Sequence, residues 1–427
     1  MGALGGGARQ PSSWRGRATV PASVHGSVHR ASLVLCSPHR SCHHGAMNLP
    51  SPELPRPDVD PDGLLEYSVV FTDRSLNHMS QRFIAAMQQT LDILRTAYSA
   101  DAVALVSGGG SYAMESVARH FAAGAHALVV RNGLFSYRWS QILDAGSIAS
   151  SVTVCDARPD GEGPQAAWRP APLDEVVAAI RAERPAVVFA PHVETAAGMV
   201  LPDEYVRGLA DAVHEVGGVL VLDCIASGAL LVDMQALGVD VLLSAPQKGW
   251  SGSPGVGYVM LSSSAREIVE SRASTSFALD LRTWLNISEA YREGRAAYHA
   301  TMPTDTIVRN LSQMIETRDR GYEELRAAQN ELGRRVRELL AERGLPSVAA
   351  SEYAAPSVVV VHTTDPELKS GAHFAREGVQ VAAGVPLHCG EPDDFATFRV
   401  GLFGLDKLGD VDGTVERLRA ALDRIGL

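Results

Sequence analysis

A chain of 427 residues with 46% hydrophobic content is long enough to bury a large core and to form two or three structural units. Its formal net charge of −11 offers no general basic field for a phosphate backbone, so no nucleic acid is expected as a partner. The cysteines at positions 36, 42, 155, 224 and 389 form no CxxC pair and, outside a loose group in the N-terminal tail, no Cys/His cluster with ligand spacing; reduced thiols in the cytoplasm and no metal are the expectation. No uninterrupted apolar run reaches the ~18–20 residues of a membrane-spanning helix, so no membrane association is expected.

Residues 1–46 contain no Asp, Glu or Lys but five Arg and five His. This composition predicts a disordered extension, with an Arg- and Ser-rich targeting segment or a start at Met47 as alternatives. Residues 47–75, Pro-rich between Asn48 and Asp62, predict an extended N-terminal arm. From about Ser80, Phe83, Met87, Leu91, Leu94 and Tyr98 recur at helical spacing. Short apolar runs at 102–106, 126–130, 152–155, 186–190, 219–222 and 241–244 then alternate with helical patterns such as 113–123, 173–183 and 203–215. Apolar strands flanked by helices predict an α/β fold with a mainly parallel sheet covered on both faces, whose ligands gather at the carboxyl ends of the strands. A large domain over 76–315 is expected. A helical stretch at about 305–342, strands near 357–362 and 397–401 and a closing helix from about Asp410 predict a smaller C-terminal α+β domain over 316–427.

Ser107-Gly-Gly-Gly-Ser111 lies between a strand and a helix opening near Tyr112, where free backbone N–H groups and the helix dipole favour a phosphate. Gly108, Gly110 and Ala113 also satisfy a GxGxxA pattern, and Arg131 after the next strand fits an NADP-dependent reductase, so a dinucleotide remains open at this point. Asp223 ends a strongly apolar strand, where a carboxylate can keep a ring nitrogen protonated or simply cap a helix. Ser244-Ala-Pro-Gln-Lys248 follows another such strand and leads into a loop shaped by Gly252, Pro254, Gly255 and Gly257. A partly desolvated lysine there can form a Schiff base with an aldehyde and act as a general base.

The order of Ser107-Gly-Gly-Gly-Ser111, His192-Val-Glu-Thr-Ala-Ala-Gly198, Asp223-Cys-Ile-Ala-Ser227, Ser244-Ala-Pro-Gln-Lys248 and Phe398-Arg-Val-Gly-Leu-Phe-Gly404 resembles the class V aminotransferases of PLP (pyridoxal 5′-phosphate) fold type I, nearest to the alanine-glyoxylate and serine-glyoxylate group. The resemblance runs from about Asn77 to the C-terminus. It implies a large domain built on a seven-stranded type of sheet, PLP as cofactor, and transamination between a small amino acid of the alanine or serine type and a 2-oxo acid such as glyoxylate or pyruvate.

By the same resemblance Lys248 is the Schiff-base lysine, Asp223 the pyridinium partner, and Gly109, Gly110 and Ser111 the phosphate loop. Phe135 takes the place of the ring over the pyridine, usually a Trp, and Ile225 that of the apolar contact on the opposite face. Thr195 matches the partner of the cofactor's phenolic oxygen, with His192 and Glu194 supporting its loop, and Gln247 precedes the lysine within reach of the phosphate. Tyr298 and Thr301 resemble the pair that reaches the phosphate of the neighbouring subunit's cofactor, which implies a homodimer with shared active sites. Arg399 matches the substrate-carboxylate arginine.

Three features depart from the pattern. The Gly-Pro-Gly-Pro opening is replaced by Phe71-Thr-Asp-Arg74 and Asn77-His-Met-Ser80, the stacking ring is Phe135, and the stretch 384–395 before Arg399 is long. That stretch holds Cys389, which raises cysteine desulfuration as an alternative; aminophosphonate or phosphoserine transamination are others.

Overall fold

The computed structural model describes residues 53–427; the expectations for 1–46 and the first residues of the arm lie outside them. The first helix, α1 (Gln81–Tyr98), begins where the Ser80 side chain accepts from the Phe83 N–H and ends at Ser99 in the left-handed region, a cap at each end. Its predicted apolar face is the buried one: Phe83, Met87, Leu91 and Leu94 are fully enclosed.

The chain then alternates through β1 (Ala102–Ser107), α2 (Gly110–Phe121), β2 (His126–Arg131), α3 (Leu134–Ala145), β3 (Ser151–Asp156), α4 (Leu173–Glu183), β4 (Val187–Pro191), α5 (Asp203–Glu215), β5 (Val219–Asp223), β6 (Val241–Ser244) and β7 (Val256–Leu261). These strands form one seven-stranded sheet in the order β1-β7-β6-β5-β4-β2-β3. The neighbours β6, β5, β4, β2 and β3 pair in parallel, whereas β7 runs antiparallel to both β1 and β6. Strands buried on both faces carry runs of Val, Leu and Ala, and each fully buried Val or Leu contributes roughly 1.5–3 kcal/mol.

Among the elements that the sequence pattern does not reveal here are α3, α6 (Leu281–Arg292) and β7. The six residues of β7 are all buried, but the Gly-Pro-Gly run just before them reads as loop. The helical stretch read as continuous from 305 to 342 is two helices, α7 (Thr304–Arg320) and α8 (Tyr322–Glu342), parted by Gly321 at φ 91°. Glycine is a weak helix former and takes that backbone conformation without a Cβ penalty.

Beyond α8, β8 (Val358–His362), the two-residue β9 (Ala382–Ala383) and β10 (Thr397–Gly401) form an antiparallel sheet in the order β8-β10-β9. A second apolar cluster, with Leu332, Val336, Val359, Phe374, Phe398 and Leu422 at its centre, packs on it. The closing helix, α9 (Val411–Arg424), begins where Asp410 accepts from the Gly413 N–H. No helix of the described residues is long and apolar enough to cross a membrane.

Candidate active site

The parallel strands end together, and the motif residues follow their carboxyl ends: Ser107 on β1, Asn132 after β2, His192 after β4, Asp223 on β5 and Lys248 beyond β6. This is the edge where open α/β sheets hold ligands.

Lys248 sits in a loop fixed from below. Tyr98 donates from its hydroxyl to Ser244 Oγ at 3.0 Å, and Trp250 Nε1 donates to the same hydroxyl at 3.2 Å. The buried Asn310 carboxamide spans Ser253, accepting from its N–H at 2.7 Å and donating to its carbonyl at 3.0 Å. At Gly249 an added Cβ would meet the Gly228 carbonyl oxygen at 2.3 Å, so the loop lies directly on the segment after Asp223.

The Lys248 ammonium lies 5.5 Å from the Phe135 ring centroid and 5.7 Å from that of Phe403. Burial lowers its pKa from the usual lysine range, against the opposing charges of Asp223 and Glu194. Asp223 is pushed the other way, up to about 6, by burial, while the Ile225 N–H and the Lys248 charge oppose the rise; the Ile225 N–H donates to its carboxylate at 3.0 Å.

Glu194 is wholly buried and organises the turn into α3. Its carboxylate accepts from the Phe135 N–H at 3.2 Å, the Ser136 N–H at 2.9 Å, the Ser136 hydroxyl at 2.7 Å and the Ala196 N–H at 2.9 Å. A carboxylate at a helix N-terminus also meets the positive end of the helix dipole. Phe135 is thereby held in place. His192 Nδ1 lies 2.7 Å from Ser227 Oγ, tying the Thr195 loop to the Asp223 loop; burial pushes this imidazole down to about 4, so it is neutral at pH 7.

The phosphate loop also meets the Asp223 loop: a Cβ on Gly110 would come within 2.6 Å of Ile225 Cδ1. The backbone N–H groups of Gly109, Gly110 and Ser111 take no partner among the described residues. Arg399, on β10, donates from Nε to the Ala383 carbonyl at 2.9 Å, and its guanidinium carbon lies 5.5 Å from the Phe135 centroid.

For the remaining expected site residues, no hydrogen bond or ring contact links them to this cluster among the described residues. Gln247 is exposed and its side chain makes no hydrogen bond among the described residues. The Tyr298 hydroxyl lies 3.2 Å from Thr301 Oγ1, and the Tyr298 ring lies tilted against His78 at 5.3 Å; none of their hydrogen bonds or ring contacts reaches Lys248, Asp223 or Phe135 among the described residues.

Arg131 has no freedom to read a dinucleotide. Its guanidinium pairs with Asp156 at 3.4 Å, donates to the His388 carbonyl and to Ser140, and covers the Tyr137 ring. Cys389 lies in the loop so anchored. Its thiol donates to the Arg131 carbonyl at 3.5 Å, and burial pushes its pKa far up, the reverse of what a nucleophilic thiol requires.

Sequence reasoning missed the buttresses Tyr98, Trp250 and Asn310, and two further groups at the site, Arg138 beside Phe135 and Phe403 beside Lys248. It also passed over a plain signal: the chain has only three lysines, Lys248, Lys369 and Lys407, and the other two are exposed.

A doubly covered, mainly parallel sheet with a half-buried lysine, a half-buried carboxylate and an anion cradle at one edge is the arrangement of a fold type I PLP enzyme. The family model for class V aminotransferases matches residues 64–402, and the chain belongs to that family. It is 29% identical over 343 residues, 79% of this chain and 87% of the other, to 2-aminoethylphosphonate–pyruvate transaminase of Burkholderia mallei (strain SAVP1). Among solved structures it resembles alanine–glyoxylate aminotransferase from Nostoc sp., with a TM-score of 0.69 at 24% identity over 82% of this chain and 89% of that one. It also resembles an aspartate aminotransferase from Thermus thermophilus, with a TM-score of 0.67 at 25% identity over 82% and 93%.

The family cofactor is PLP, and the residues present fit it. The Thr195 hydroxyl is buried with no hydrogen-bond partner among the described residues, as a group reserved for a ligand atom would be. The free N–H groups of the Gly109–Ser111 turn suit a phosphate, and the half-buried Asp223 carboxylate has no ion-pair partner among the described residues.

Proposed function

We propose that the protein transfers the amino group of a small amine carrying one anionic group, of the alanine or serine type, to pyruvate or glyoxylate. The observation that carries this reading is the convergence of Lys248 and Arg399 on the Phe135 ring, neither cation having a carboxylate within ion-pair distance among the described residues.

When bound, PLP supplies an aldehyde that condenses with amines and a ring that withdraws electrons. Asp223 would sit beside the ring nitrogen and, ionised by that neighbouring charge, would keep a proton on it. Phe135 and Ile225 would supply the apolar contacts to the cofactor ring, and Thr195 a donor for its phenolic oxygen. Gly109, Gly110 and Ser111 receive the phosphate, with Gln247 at its edge. Lys248 would hold the cofactor covalently, and its amine, lowered in pKa by burial, would serve as the general base for the proton on the amine-bearing carbon of the substrate. Arg399 captures the substrate anion through the guanidinium nitrogens that Ala383 leaves free.

A second donor, an aminophosphonate, is favoured by the Burkholderia relative, which is named for 2-aminoethylphosphonate and pyruvate. Its phosphonate would meet the same Arg399 from one bond further along the donor. We further read Tyr298 and Thr301 as completing the phosphate site of a partner subunit in a homodimer, which their separation from Lys248 within the chain supports. The free thiols of Cys155, Cys224 and Cys389 favour a cytoplasmic setting.

Initial rates with PLP and alanine, serine, aspartate or 2-aminoethylphosphonate against pyruvate or glyoxylate test the reading. Parallel double-reciprocal lines are expected for one of the small donors. Absence of amino transfer from every donor to both acceptors would overturn it.

A further inference from the structure

Arg138 follows Phe135 by three residues on α3, so the two side chains share one helix face. Its guanidinium carbon lies 5.3 Å from the Phe135 ring centroid, and Nη1 donates to Ser111 Oγ at 3.1 Å. That is its only hydrogen bond within the described residues, and no carboxylate there lies within the 4.0 Å of an ion pair. The contrast with two arginines on neighbouring elements is direct: Arg131, at the end of β2, has Asp156 and Arg119, on α2, has Glu115. Arg138 is therefore a cation held at the wall of the site with most of its donors uncommitted.

Its one mooring point is the side chain of the cradle residue whose own N–H is free. A phosphate seated on the Gly109, Gly110 and Ser111 N–H groups meets only neutral donors and a helix dipole from this turn. A guanidinium at Ser111 Oγ adds the compensating charge and a fork matched to two phosphate oxygens. Arg399, by contrast, is moored on Ala383 in the other sheet and has no tie to the cradle.

We propose that Arg138 is a further cofactor-binding residue, which together with Ser111 Oγ closes the cradle and donates to the phosphate of PLP. The proposal rests on the reading of Gly109 to Ser111 as that cradle.

The test compares the affinity of the apoprotein for PLP with its affinity for pyridoxal, which lacks the phosphate, by titration of intrinsic fluorescence, in the wild type, Arg138→Met, Arg138→Lys and Ser111→Ala. Because the readout is the ratio of two affinities within one variant, general damage to the fold cancels. Arg138→Met is expected to lower the preference for PLP by ~10–100-fold with pyridoxal binding nearly unchanged, and Arg138→Lys to restore part of it. An undiminished preference in Arg138→Met, or equal losses for PLP and pyridoxal, overturns the proposal. A preference that is strong in the wild type, reduced in Ser111→Ala and intact in Arg138→Met sinks the assignment of Arg138 alone. No preference in the wild type removes the cradle reading with it.

Discussion

Asp223 and Lys248 are displaced toward neutrality by the same burial and each is held back by the charge of the other: the carboxyl rises to about 6 and the ammonium falls below its usual range. A raised carboxyl pKa means that the folded chain binds this proton more tightly than the unfolded one. Its contribution to stability is present below about pH 4 and is lost as pH rises through about 6.

Asp223→Asn, which still accepts from the Ile225 N–H, escapes that loss. The apoprotein of this variant should gain on the wild type between pH 4 and pH 8, by at most about 3 kcal/mol. Thermal melts of the two apoproteins across that range measure it, and a gap independent of pH contradicts the burial argument. With PLP bound, the same variant should lose on the order of 100-fold or more in kcat, since the ring proton has lost its carboxylate.

Thr195→Val keeps the shape and removes the buried hydroxyl that has no partner. An unpaired buried hydroxyl costs roughly 1–3 kcal/mol, so the apoprotein should be as stable as the wild type or more so. PLP affinity should fall by about tenfold. Equilibrium dialysis with PLP and a melt of the apoprotein separate the two effects; a less stable apoprotein with unchanged PLP affinity would show that the hydroxyl serves the fold.

Arg399→Ala should raise the KM of the anionic donor by roughly 30-fold or more, and Arg399→Lys should recover little of it because the ammonium lacks the planar fork. Steady-state kinetics with the best donor check this. An amine donor without an anionic group should be indifferent to either change.

Cys389→Ser should leave transamination within about twofold of the wild type, because the thiol is buried and held protonated. Sulfide release from cysteine, assayed in parallel, should be at background in both proteins. Release that depends on Cys389 would restore the desulfurase alternative.

The parts of this site visible in the sequence are those whose chemistry is local. An apolar strand followed at once by Asp223, or by Pro246-Gln-Lys248, marks its own end of the sheet, and the face of α1 follows from spacing alone. What stayed hidden depends on distance along the chain. Tyr98 reaches Ser244 across 146 residues and Asn310 reaches Ser253 across 57, and neither leaves a pattern that periodicity can register. Strand β7 is apolar throughout, but Gly255 and Gly257 at its start read as loop. Arg138 had a weak signal, its place one turn beyond Phe135, and an isolated arginine on a helix is most often a solvated charge.

The covalent tie between Lys248 and PLP is tested most directly by reducing the PLP-loaded protein with borohydride and mapping the modified lysine by peptide mass spectrometry. With only Lys248, Lys369 and Lys407 available, the answer is unambiguous. The account predicts one pyridoxyl group per chain, on Lys248, with loss of activity and of the visible absorption band. Modification confined to Lys369 or Lys407, or an unmodified chain that transaminates with PLP, would contradict it.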